Sequence, residues 1–336
     1  MYDDELNLEE KNSINEMAQV LMEYSSESEM IKIFDNLELL EKLSYEFREN
    51  VKPFMDEELI YHEYYTLKDT IELVKRFLKT IDLEYPPLFD KLLSDGTINL
   101  YHIDNEEDVK IYGEDAFCDE DDIPKYDVNG SIIDFDKRRN INIPLQHTLD
   151  DAYSLLHEFI HYTNIPNGEI YSDDRDILTE SSSFIFECLF HKYLIDNGYS
   201  KDEANVNLKM RINSTLELAE DVNDITGLLL YMKSHPEYIK DIIVSDKEDS
   251  TLYEDIVSEI EYFIAGIVSL NAYKNYLDGK IDLNEIKDFN NVLEVNNELE
   301  SLIFLFGCNS EECDAEQICK DIFSIINEFE ISRKIK

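Results

Sequence analysis

Near the middle of this 336-residue chain stands LLHEFIHYTN, Leu155 to Asn164, which sets two imidazoles four positions apart around a carboxylate. That spacing means something only on a helix. There, His157 and His161 lie one turn apart and project from the same side. Two ring nitrogens so placed can reach one Zn²⁺ at about 2.0–2.1 Å. Glu158, offset by one residue, can lie beside the cation without binding it, where a general base must sit to take a proton from a water. An HExxH pattern arises by chance in about one or two of a hundred chains like this, so its surroundings must decide. The chain holds only 7 histidines, which makes their grouping informative.

The surroundings favour a site. Thr148 followed by Leu149-Asp150-Asp151 predicts a helix start, with a hydroxyl cap and carboxylates in the first turn. Leu149, Ala152, Tyr153, Leu156 and Ile160 supply its apolar stripe. After NIPNG, Asn164 to Gly168, a second helix is predicted, opening near Ser172, Asp173, Asp174 and Asp176 and running through ILTESSSFIFECLFHKYL. Its apolar course is interrupted by Glu180, three serines and Glu187. Glu180 and Glu187 are seven residues apart and share a face with Ser183 and Phe184. A carboxylate facing a core is costly to bury unpaired, and a cation resolves that cost. Glu180 is therefore the expected third ligand, with the fourth position left to water. Glu187 is expected to orient a histidine.

The rest of the chain frames these helices. Apolar stripes predict helices at Ile14–Met22, Ile31–Phe47 and Leu67–Ile81, with a break at Pro86-Pro87. From about Thr97 to Leu145 the short β-branched runs TINLYHI, SIIDFD and NINIPL read as strands. The last two are expected to form a hairpin turned at Lys137-Arg138-Arg139-Asn140, and Pro144 to end its strand or mark an edge. Asn197-Gly198 and Asp278-Gly279 are expected helix ends. The expected fold class is mainly α with a small β-sheet (α+β), divided into an N-terminal helical region, 1–95, and a site-bearing unit, 96–336.

Charge narrows the partners. A net charge of −46 repels nucleic-acid phosphates and anionic lipid, so neither nucleic acid nor membrane is expected. The longest nearly apolar run, Tyr262 to Leu270, is too short to span a bilayer, and the acidic N-terminus lacks a secretory signal. A cytoplasmic location is expected. The 5 cysteines, an odd number, are expected to be free thiols rather than a disulfide framework.

At this point the chain resembles a family. INIPLQHTLDDAYSLLHEFIHYTN is similar to the strand–TLxDxxxLxHExGH segment of thimet oligopeptidase and oligoendopeptidase F-like zinc metallopeptidases, which are gluzincins. Glu180, Ser183 and Glu187 match that family's ExxSxxxE helix, and YFIAGIVSLNAYKNYLDGK, Tyr262 to Lys280, is similar to its ATGI-containing helix. The resemblance implies a zincin-like fold, one Zn²⁺ per chain held by His157, His161 and Glu180, Glu158 as the base, and hydrolysis of short peptides held along an edge strand. The peptide is expected to lie antiparallel to the strand at Asn140–Leu145, so Asn142 and His147 are candidate substrate contacts. Ile160 stands where the family has glycine, and the stretch from His161 to Glu180 is shorter than the family's. Ile267 follows Gly266 where an oxyanion-binding tyrosine is expected, leaving Tyr262, Tyr253 and His235 as candidates. Two other classes stay open: a catalytically impaired peptide-binding module that retains the zinc scaffold, and a helical protein without a metal.

Overall fold

The stripe at Leu67–Ile81 becomes a helix with those bounds, because its signals agree at every level. Thr66 and Asp69 form a reciprocal capping box, and Thr70, Leu73, Val74, Phe77, Leu78 and Ile81 are buried along one face. The structure, a computed structural model, describes residues 28–55, 59–102, 131–135, 138–164, 176–234, 250–287 and 315–331. The Ile14–Met22 stripe, the Ser172–Asp174 helix start and three of the cysteines (Cys118, Cys308 and Cys313) lie outside them. In chain order the elements are α1 (Ser28–Asn50), α2 (Leu67–Ile81), α3 (Tyr85–Ser94), β1 (Ile98–His102), β2 (Ser131–Phe135), β3 (Arg138–Leu145), α4 (Asp150–Asn164), α5 (Asp176–Asp196), α6 (Lys201–Ser234), α7 (Ser250–Leu277) and α8 (Ala315–Ile331). The chain is mainly α with a small sheet, as its patterning implies. Among the described residues no helix is long and apolar enough to cross a membrane.

The chain divides into two compact units, each built from discontinuous segments. One comprises Met1–Pro53, Ile212–Lys274 and Val295–Lys336. Within it α1 packs on α8, and the buried Cys319 thiol lies against the Leu43 carbonyl at 3.8 Å. The other comprises Phe54–Arg211 and Asn275–Glu294 and carries the sheet together with α2 to α5.

In this second unit, α4 rests on β3 and β2 and against α2 and α5. Phe159 of α4 meets Tyr85 and Phe89 edge-on at 5.6 and 5.4 Å, and Tyr153 meets Phe190 of α5 at 4.9 Å. Phe89, Phe159, Tyr153 and Phe190 are fully buried, and each such ring contributes about 1.5–3 kcal/mol from burial alone. Pro86 and Pro87 do more than break a pattern: they open α3, where the first-turn N–H groups have no helical partner to lose. Gly198 ends α5 with φ +78°, and the Tyr199 and Gly198 N–H groups close on the Leu194 and Ile195 carbonyls. Gly279 ends α7 in the same way, with φ +69°.

The sheet order is β1-β3-β2, with β3 parallel to β1 and antiparallel to β2. The expected hairpin is present, but its reversal is tighter than expected. Phe135 pairs with Arg138, so Arg138, Arg139 and Asn140 belong to β3, and only residues 136 and 137, outside the described set, connect the strands. Pro144 does not mark an edge, since β3 is the central strand and runs on to Leu145. The Ile141 N–H faces β1, bonded to the Thr97 carbonyl at 2.8 Å, so by alternation the Pro144 nitrogen faces the β2 side. There it lies beyond Ser131–Asn142, the last β2–β3 pair among the described residues, so none of the described β2–β3 pairs depends on its missing N–H.

Candidate metal centre

The helix that bears the two histidines is held at its start by its own first turn. The Thr148 hydroxyl accepts from the Asp150 N–H at 3.3 Å. The Asp151 carboxylate accepts from the Gln146 and His147 N–H groups at 2.8 and 2.9 Å. This carboxylate stabilises His147 in a left-handed conformation, φ +62°, which turns the chain from β3 into α4. The His147 ring stacks on Tyr64, and its Nδ1 lies 3.1 Å from the Tyr65 carbonyl. His147 thus ties the strand–helix corner to the segment before α2.

Small side chains let α5 approach α4 closely. Ser181 and Ser183 are fully buried, and the Ser183 hydroxyl donates to the His157 carbonyl at 3.2 Å. Asn164 donates to the Ser182 hydroxyl at 2.9 Å. Glu180 and Glu187, two turns apart on α5, therefore flank the imidazoles of α4.

The four side chains interlock. The two Nε2 atoms of His157 and His161 are 2.8 Å apart. The Glu180 carboxylate lies 3.5 Å from one and 3.2 Å from the other. Ligand atoms at about 2.0–2.1 Å from one tetrahedral ion sit about 3.3 Å from each other, so the three spacings fit a single small cation. Two neutral nitrogens and one carboxylate oxygen are also the donor set that a divalent ion such as zinc accepts. His157, His161 and Glu180 thus form a group able to hold a metal ion. The Glu187 carboxylate lies 2.6 Å from His157 Nδ1, which leaves the Nε2 lone pair for the cluster when the ring is neutral. The buried His161 Nδ1 has no such partner among the described residues.

Electrostatics follow from this crowding. Burial alone would lower the His157 pKa, but the Glu180 and Glu187 carboxylates outweigh it and push it up to about 10. Burial would raise Glu180, yet the two imidazoles hold its carboxyl well below the usual range. Glu158 moves the other way: burial raises its pKa, against the pull of His157 and His161. A carboxylate raised toward neutrality is a better proton acceptor at working pH than an ordinary surface glutamate.

The other candidates fall in different places. Asn142 is buried in β3, where its side chain accepts from Asn99 at 3.1 Å. Because β3 is flanked by β1 and β2, a peptide has no open edge at Asn142, and the expected pairing along Asn140–Leu145 is corrected on that ground. Tyr262 is 41% exposed on α7, in the other unit. His235 and the Tyr253 side chain lie outside the described residues. His191 is a core residue, its Nε2 2.9 Å from the Asn205 oxygen.

Sequence reasoning missed Arg211. Its guanidinium Nη2 donates to both oxygens of Glu187, at 3.1 and 3.0 Å. It also missed Asp150, which accepts from the Tyr61 hydroxyl at 3.3 Å and whose pKa burial raises to about 6. Neither carries a local signal: Arg211 is one of four cations spread along a 34-residue helix, and Asp150 passes for an ordinary first-turn carboxylate.

The fold is similar to the crystal structure of a "putative peptidase from Chlamydophila abortus", with a TM-score of 0.55 and 15% sequence identity. The match covers 95% of this chain and 60% of the other, so this chain spans about three fifths of that protein's length. No family model matches the chain, and no curated protein matches its sequence.

Proposed function

We propose that this chain is a zinc-dependent metallopeptidase of the gluzincin type, acting on short peptides. The observation that carries the reading is the convergence of His157 Nε2, His161 Nε2 and the Glu180 carboxylate within 4.8 Å of one another, on a peptidase-like fold. These three residues would hold the ion, and the identity Zn²⁺ rests on the nitrogen-rich donor set. When bound, the cation supplies Lewis-acid polarisation of a peptide carbonyl and lowers the pKa of a water.

The chain's own residues do the rest. Glu158 takes the water's proton and passes it to the leaving amine. Glu187 keeps the His157 Nδ1 proton in place, so that the ring presents its other nitrogen. Since β3 is central, the peptide pairs instead with the outer edge of β2, which is unpaired among the described residues and belongs to a strand that α4 packs against. His147, at the strand–helix corner, keeps its place as a candidate substrate contact.

Glu158→Gln is the test. It should bind one zinc per chain as the wild type does, while turnover of a panel of quenched peptides falls by about 10²–10⁴-fold. Unchanged turnover would remove Glu158 from the mechanism. Wild-type protein that binds these peptides saturably without cleaving them would favour the peptide-binding module.

A further inference from the structure

The carboxylate that steadies His157 is itself gripped. Glu187 is only 4% exposed, and an anion buried to that degree needs a partner. Arg211 supplies it from α6, with one guanidinium nitrogen spanning both carboxylate oxygens at 3.1 and 3.0 Å. The same guanidinium lies over the Phe184 ring, 3.3 Å from its centroid. Phe184 in turn packs on the His157 ring at 5.4 Å. One cation therefore holds both side chains of α5 that fix this imidazole: the carboxylate at its Nδ1 and the ring at its face.

We infer that Arg211 is a positioning residue for the metal centre, acting on His157 through Glu187 and Phe184. The inference rests on the metal-binding reading above. Two facts make the coupling specific. His161 has no corresponding partner at Nδ1 among the described residues, so carboxylate control of the centre is concentrated at His157. And a planar guanidinium can stack on a ring while donating to a carboxylate at its edge, which an ammonium cannot reproduce. Removing Arg211 leaves a buried carboxylate without the cation that fixes its orientation, and the aim of His157 is no longer set.

The experiment is zinc affinity, read by competition with a chromophoric chelator. Arg211→Met should weaken it by about 10–100-fold, with Arg211→Lys in between. Arg76→Met is the control: it removes an exposed arginine bonded to Tyr199 and should leave the affinity unchanged. Because Arg211 acts through Glu187, Arg211→Met combined with Glu187→Gln should lose less than the product of the two single losses. The double variant also removes both charges together, so it serves, with Arg211→Lys, if Arg211→Met alone does not fold. Wild-type affinity in all of the folded Arg211 variants, or a double variant whose loss equals the product of the singles, overturns the inference while leaving the centre standing. Wild-type protein that takes up no zinc ends both readings.

Discussion

A proton stands in the way of the proposed cation at His157. The Glu180 and Glu187 carboxylates, outweighing burial, raise the folded pKa of this ring to about 10, against 6.5 for the ordinary side chain. A raised pKa means that the protonated form stabilises the cation-free protein; that contribution is fully present below pH 6.5 and is lost as the pH rises through about 10. A zinc ion at the proposed centre would need the Nε2 lone pair, so its uptake at pH 8 would expel this proton. Calorimetric binding enthalpies measured in buffers of different ionisation enthalpy should therefore fall on a line whose slope corresponds to about one proton released. Zinc affinity should also climb between pH 6.5 and 9. A slope of zero would mean that His157 is neutral beforehand and that the two carboxylates do not govern it. The grouping of His157, His161 and Glu180 was legible from spacing alone, because one turn on α4 and two turns on α5 are fixed by helix geometry. Arg211 was not, because its place beside Glu187 depends on how α6 packs, and no periodicity encodes a contact between two helices.

Helices that touch through a glycine are sensitive to a single methyl group. On α7, a Cβ added at Gly266 would clash with the Thr215 hydroxyl and come within 3.0 Å of its Cγ2. Thr215 is 1% exposed and β-branched, so it has little room and few rotamers with which to yield. Gly266→Ala should cost about 1–3 kcal/mol by overpacking, although alanine is the better helix former by about 1 kcal/mol. Urea unfolding checks this: an unchanged or raised midpoint would show that Thr215 simply turns aside. The elements that the sequence revealed are those whose cause is local. Leu67–Ile81 carries its cap and its stripe within its own residues, and the three strands announce themselves by β-branched runs. Strand order was not legible, because the placement of β3 between β1 and β2 is set by pairing across a long separation in sequence, and from that error came the misplaced peptide edge. Pro144 misled for a related reason: a missing N–H forbids a ladder bond only on the side to which that nitrogen points.

For the whole molecule the deciding quantity is charge. The chain has 76 acidic and 30 basic side chains, so even complete pairing leaves a net charge of −46. Like charges on one folded surface repel, and unfolding relieves that repulsion by spreading them apart. Exposed ion pairs act in the opposite direction, but each is worth only about 0–1 kcal/mol. Lys192–Asp196 and Lys320–Glu316 are of that exposed kind. Salt screens both effects over about 10 Å at 0.1 M, and with anions in such excess the repulsion it removes outweighs the attraction. Raising NaCl from about 20 to 300 mM should therefore raise the thermal midpoint, by about 2–4 °C for each kcal/mol of repulsion removed. Potassium chloride should act equally, because screening depends on ionic strength and not on a bound cation. A midpoint that falls with salt would show that attractive pairs dominate the folded surface, and the acidity would then need an explanation in specific contacts rather than in net repulsion.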